Sequence, residues 1–189
     1  VSRGFPGTHS IDLMIERLNN WKNSGELNIP VFDKSLRSGL GDRSHWRHEK
    51  PDLIILEGWF LGVNPNNPNP LIDESVYPSL TNDETIFRSK IQENLAKYYP
   101  VWSLIDKLWH LKPEKFLYTN LWKKQQEKEM FEKKGSALTN KRLLDFLRMI
   151  YASIPIKSFD NINSDVLIML NQERAITWAG LNKKINNFQ

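Results

Sequence analysis

The sequence predicts an α/β domain over residues 1–189, a parallel sheet with crossover connections flanked by helices. Three observations carry this expectation. Short apolar runs alternate along the chain with longer stretches of helical periodicity. One run, Leu53-Ile54-Ile55-Leu56, is apolar at every position, the pattern of a strand covered on both faces. The length suits a single domain, which at this size buries roughly 70% of its unfolded surface.

Taken in order, Ser10 is placed to cap a helix running to about Lys22, with Ile11, Met14, Ile15, Leu18 and Trp21 on one face. Asn23-Ser24-Gly25 ends it. Asn28 to Phe32 is expected as a short strand, and Leu36 to Lys50 as a polar loop punctuated by Gly39 and Gly41. Leu53 to Leu56 is the buried strand. The run Asn64-Pro65-Asn66-Asn67-Pro68-Asn69-Pro70 suits neither helix nor central strand and is expected as a surface excursion. Thr81 with Glu84 predicts a capping box opening a long helix through Ile86, Ile91 and Leu95, broken near Pro100. Lys107 to Leu111 follows as a strand, and Glu114 to Lys134 as a charged helix stopped by Gly135. Thr139 then starts a helix with Leu143, Leu144, Phe146, Leu147, Ile150 and Tyr151 inward, and Val166 to Leu170 is a last strand.

Composition narrows the function classes. A formal charge of +4 is spread among interleaved acids and bases, without the basic stripe that nucleic-acid binding requires. The absence of cysteine excludes disulfides, a Cys nucleophile and Cys-based zinc sites, and agrees with a cytoplasmic location. The apolar runs are far shorter than the roughly 20 residues of a membrane span. No Gly-x-Ser-x-Gly occurs, which argues against a serine hydrolase of that type. The histidines show no zinc-ligand spacing.

Three segments place charged or hydroxyl groups beside glycines. Glu57 ends the Leu53–Leu56 run and precedes Gly58; at the carboxyl end of a strand it can reach a metal or serve as a loop-capping edge residue. Asp33, Lys34 and Ser35 follow a predicted strand, and Asp42 and Arg43 return charge to the same neighbourhood. That pattern suits a carboxylate or phosphate ligand, or an ion-paired solvated loop. Arg3-Gly4-Phe5-Pro6-Gly7-Thr8-His9 makes a rigid turn at a helix N-terminus, where Thr8 and backbone N–H groups can meet an anion. His9 can donate to a carboxylate or simply help cap the helix. In the charged helix, Lys123 and Lys124 diverge by about 100°, so one at most faces a given ligand. That helix suits a lid over phosphates or an ordinary surface helix.

In order and spacing these segments resemble the D-glycerate 3-kinase family, whose members belong to a larger group of P-loop small-molecule kinases that also holds uridine kinase, phosphoribulokinase and bacterial pantothenate kinase. The matching stretches are RGFPGTH (3–9), PVFDKSLRSGLGDR (30–43), DLIILEGWFLG (52–62), ENLAKY (93–98), WHL (109–111), LWKKQQE (121–127) and LTNKRLLDFLRMIY (138–151). The resemblance implies ATP- and Mg2+-dependent phosphorylation of a small hydroxy acid, D-glycerate first, with a nucleoside or pantothenate-like acceptor as the alternative. By the same resemblance Arg3, Thr8, His9, Asp33, Lys34, Asp42 and Arg43 line the acceptor pocket, Glu57 stands at the metal, and Lys123 occupies the lid, touching the nucleotide. Ser10 stands where the family has Asp, and Lys123 where it often has Arg. The family's Gly-x-x-x-x-Gly-Lys-[Ser/Thr] loop precedes RGFPGTH, and these residues contain no such motif. The chain is therefore expected to be the C-terminal portion of a P-loop kinase fold without its first strand. On its own it should bind ATP poorly, turn over negligibly, or survive as an acid-binding module, with an exposed sheet edge that invites self-association.

Overall fold

The computed structural model describes residues 3–37, 40–64, 76–135 and 137–182. The Asn/Pro run from Pro65 to Pro70, and Gly39, lie outside these. Helix α1 (Ile11–Ser24) ends on Gly25, whose left-handed backbone turns its N–H onto the Trp21 carbonyl. Ser10 stands at the N-cap but makes no capping bond; its hydroxyl accepts from Arg43 instead. Helix α2 (Asn82–Ala96) opens on the expected box: Thr81 accepts from Glu84 N–H and Glu84 accepts from Thr81 N–H. Pro100 sits in the first turn of a short α3 (Tyr99–Trp102), so the break falls before it. Helix α4 (Leu117–Lys134) stops at Gly135, and α5 (Asn140–Ser153) starts on the Thr139 cap. A short α6 (Ile156–Asp160) follows.

Two sheets form. Strands β1 (Leu27–Asp33) and β2 (Asp42–Glu49) pair antiparallel, bringing Asp33 opposite Asp42 at the hairpin tip. The expected polar loop from Leu36 to Lys50 is thus mostly strand. It escapes detection because β2 is exposed almost throughout, so no alternation marks it; the backbone ladder alone holds it. In the second sheet β3 (Trp109–Pro113) runs parallel to β4 (Val166–Leu170), and β5 (Ile176–Leu181) adds antiparallel to β4. The α/β class holds, with a mixed sheet in place of an all-parallel one.

Leu53–Leu56 forms no strand here. No ladder pairs it, and Leu53 and Ile55 are 72% and 78% exposed. Its apolar pattern matches a segment made to be covered, but among the described residues nothing lies in hydrogen-bonding register beside it.

The core joins distant pieces: Phe5 of the first loop, Phe60 and Val63 of the turn after Glu57, Ile91, Leu95 and Tyr98 from α2 and its end, and Ile154 and Ile162. Phe60 meets Tyr98 edge-on at 5.1 Å and Phe5 meets Trp59 at 5.6 Å. Two arginines pin α2 to α5. Fully buried Arg88 donates to the Tyr151 and Ala152 carbonyls at 2.7 and 3.0 Å. Arg148 reaches back to Glu84 with paired bonds of 2.6 and 2.7 Å. Arg148 holds the Glu84 carboxyl at a pKa of about 2. The native form thus favours the charged carboxylate, so this contribution is complete above the ordinary glutamate range and is lost as pH falls from there toward 2. Glu84→Gln should destabilise by about 1–3 kcal/mol at pH 7, and the gap from wild type should narrow steadily in urea melts between pH 4.5 and 2.

Candidate active site

The first loop and the hairpin tip are drawn together by cations. Arg3 donates to the Leu40 carbonyl at 3.0 Å, and its guanidinium lies 5.4 Å from the Phe32 ring centre. Arg43 donates to Ser10, the residue after His9. Gly41 makes this approach possible: its φ is +81°, and a Cβ there would fall 2.6 Å from the Arg3 guanidinium. The expected acceptor residues thus belong to two segments in direct contact, Arg3, Thr8 and His9 to the first loop and Asp42 and Arg43 to the hairpin. Asp33 and Lys34 sit on the same hairpin tip.

Their individual states differ. Thr8 accepts from Gly4 N–H at 3.0 Å and donates to the Phe5 carbonyl at 2.8 Å, so its one proton is committed to closing the turn. Asp33 accepts from both the hydroxyl and the N–H of Ser35, at 2.6 and 2.8 Å, and those bonds hold its carboxyl below the usual carboxylate range. Asp42 accepts from the N–H of Arg43 at 2.8 Å and lies 3.7 Å from Arg37. Lys34 is exposed, with no partner among the described residues. His9 has Nδ1 2.7 Å from the Tyr98 hydroxyl, and partial burial of its ring lowers its pKa. Gly7, at φ +89°, donates to the same hydroxyl, and a Cβ there would meet Asn94 at 2.7 Å.

Beside this contact opens a cleft of about 1560 Å3. Its wall includes Arg3, Glu57, Lys123 and Gln126 among the polar groups. It touches every residue from Leu53 to Gly58 on one side and from Trp109 to Pro113 on the other. Successive residues of an extended segment point to opposite faces, so a space bordering them all lies along the segment edges, in the plane of a sheet. Trp59 ties this wall to the first loop through a 2.7 Å bond to the Gly4 carbonyl. Glu57 is exposed and makes no bond to a described residue. Lys123 is held: its ammonium lies 2.7 Å from Glu127 and 3.0 Å from Gln126, and 5.5 Å from the Phe146 ring centre. Burial works to raise the Glu127 pKa, but the Leu138 N–H and Lys123 outweigh it and leave the carboxyl below its ordinary range.

Sequence reasoning missed Tyr98, Gln126 and Glu127. Glu127 was signalled by its i,i+4 spacing from Lys123; Tyr98, on an apolar helical face, was indistinguishable from a core residue.

No family model matches the chain. It is 30% identical over 155 residues to "Uncharacterized kinase mug58" of Schizosaccharomyces pombe, covering 77% of this chain and 55% of that protein. It is 29% identical over 184 residues to "Probable ATP-dependent kinase TDA10" of Saccharomyces cerevisiae, covering 87% and 59%. The chain thus spans little more than half the length of these curated relatives. Among solved structures it superposes on D-glycerate 3-kinase from Cryptococcus neoformans var. grubii with a TM-score of 0.72, at 24% identity, covering 96% of this chain and 69% of that one. At that identity the likeness establishes the fold. Relatives and fold agree with the motifs: the chain resembles the D-glycerate 3-kinase-like P-loop kinases and is a kinase-like phosphotransferase by resemblance.

Proposed function

We propose that the intact enzyme transfers phosphate from ATP to a small hydroxy acid, D-glycerate before other acceptors, in the cytoplasm. These 189 residues supply the acceptor site, a metal-edge carboxylate and a lid helix. The observation that carries this reading is the position of Arg3, which bonds the hairpin tip and also lines the cleft holding Glu57 and Lys123. A cationic acceptor face and a phosphate-facing cleft therefore share one side chain. Phosphoryl transfer depends mainly on positioning and charge stabilisation, which such an arrangement serves.

On the acceptor side, Arg43 and Lys34 attract the carboxylate of the acid, Arg3 closes the pocket toward the cleft, and His9 donates to an acid oxygen. Asp33 and Asp42 shape the opposite wall. The exposed Glu57 carboxylate on the cleft wall suits Mg2+, which commonly takes one or two protein carboxylates and completes its shell with phosphate and water. Glu57 would hold it directly or through a water, and the ion would neutralise phosphate charge. Lys123 is the lid cation, and to reach a phosphate it must exchange Glu127 for the ligand. Because the sequence contains no phosphate-cradling Gly-x-x-x-x-Gly-Lys-[Ser/Thr] loop, these residues alone bind the acid without turning it over.

In the longest natural form of the protein, Arg43→Ala or Lys34→Ala should raise KM for D-glycerate about tenfold, the loss of one charge-assisted bond, with kcat little changed. Normal steady-state kinetics in both variants would refute the pocket assignment. Glu57→Gln should instead lower kcat by about 100-fold with KM for the acid nearly unchanged.

The open edge of β3 and the exposed apolar run Leu53–Leu56 also favour self-association of the isolated chain. Sedimentation should show concentration-dependent oligomers that Ile55→Lys reduces; a monomer at every concentration would exclude this.

A further inference from the structure

The hydroxyl of Tyr98 lies between two groups of the first loop. Gly7 N–H donates to it at 3.2 Å, and His9 Nδ1 is 2.7 Å away. Tyr98 is 2% exposed, and its ring is packed edge-on to Phe60 at 5.1 Å and against Trp102 at 5.5 Å. The oxygen therefore cannot be re-aimed without opening the core. A phenol has one proton to donate. Its oxygen already accepts from Gly7, and His9 Nδ1 is its other bonded partner among the described residues.

We propose that Tyr98 is a positioning residue that fixes His9 as the neutral imidazole with its proton on Nε2, so that His9 meets the acceptor as a hydrogen-bond donor and not as a base. The reverse arrangement, with Nδ1–H donating to the phenol oxygen, leaves the phenol proton without an acceptor in a buried position. A doubly protonated imidazole does the same, and both forms are disfavoured. The ring environment works in the same direction: Phe60 and Tyr98 pack against the imidazole at 6.0 Å, and of these only Tyr98 titrates. Burial alone lowers the His9 pKa, with no charged neighbour contributing.

Nε2 has no partner among the described residues, which leaves its proton for a ligand. The consequence rests on the reading that this loop holds the hydroxy acid. A fixed Nε2–H can donate to a carboxylate or hydroxyl oxygen. It has no lone pair with which to take the proton of the hydroxyl being phosphorylated, so that role falls to another group.

The test is long-range 1H–15N correlation NMR on the ligand-free, 15N-labelled chain, with His9 assigned by loss of its signals in His9→Asn. The expected spectrum shows an unprotonated Nδ1 and a protonated Nε2. Tyr98→Phe should convert this to a mixture of tautomers and raise the His9 pKa by about one unit, the cost of an orphaned neutral donor. A wild-type Nδ1–H tautomer, or a Tyr98→Phe spectrum unchanged in both tautomer and pKa, overturns the proposal. Should Tyr98→Phe fail to fold, the wild-type tautomer decides alone. Adding D-glycerate separates the two readings: an Nε2–H tautomer whose signals do not move leaves the Tyr98 lock standing and removes the acceptor assignment.

Discussion

The placement of the site depends on a buried cation. Arg88 is wholly enclosed, yet its guanidinium faces the last carbonyls of α5, which have no partners within their own helix. A helix C-terminus carries partial negative charge, so the contact offsets the desolvation of Arg88 and satisfies those carbonyls together. One turn earlier on α2, Glu84 takes the fork of Arg148 from α5. The two ties fix the register of the helix pair, with contacts advancing in the same direction along both helices. At the far end of α2 stands Tyr98, which holds Gly7 and His9. The first loop therefore inherits its position from a helix pair whose alignment is set by two guanidinium groups.

Charge also organises the surface above that frame. The hairpin of β1 and β2 is a two-stranded ribbon with little apolar cover, and such ribbons are marginal by themselves. It is steadied by Arg3 on Phe32 and Leu40, by Arg43 on Ser10 and by Arg17, whose guanidinium lies 5.3 Å from the Trp46 ring centre. The side chains expected to attract an anion thus also build the wall of the site. Their removal changes both the local field and the loop geometry.

Local signals in the sequence foretold local structure. The Thr81–Glu84 box, the Thr139 cap, Gly25 and Gly135 set helix ends through bonds between near neighbours, and each stands as expected. Strands were less transparent. Val166–Leu170 announced itself by its apolar run, whereas Asp42–Glu49 is held by backbone pairing that its side chains do not encode. Leu53–Leu56 shows the opposite failure, since apolar continuity reports a need for cover and says nothing of the neighbour that supplies it. In the site, the order of motifs located the loops that meet. It did not reveal that Thr8 would be consumed inside its own turn, or that Tyr98, still part of the core, would turn its hydroxyl to His9, because both depend on which oxygen a proton reaches.

The pairing of Lys123 with Glu127 has a consequence for selectivity. Glu127 is only 5% exposed, so when the ammonium leaves, a buried carboxylate remains with the Leu138 N–H as its support. Removing one partner of a buried pair costs about 3–5 kcal/mol. A singly charged anion offers the lysine little more than it already has, whereas a polyphosphate offers several charges at once. On the proposed lid reading, the pair sets a threshold that a single carboxylate does not reach and a densely charged ligand does.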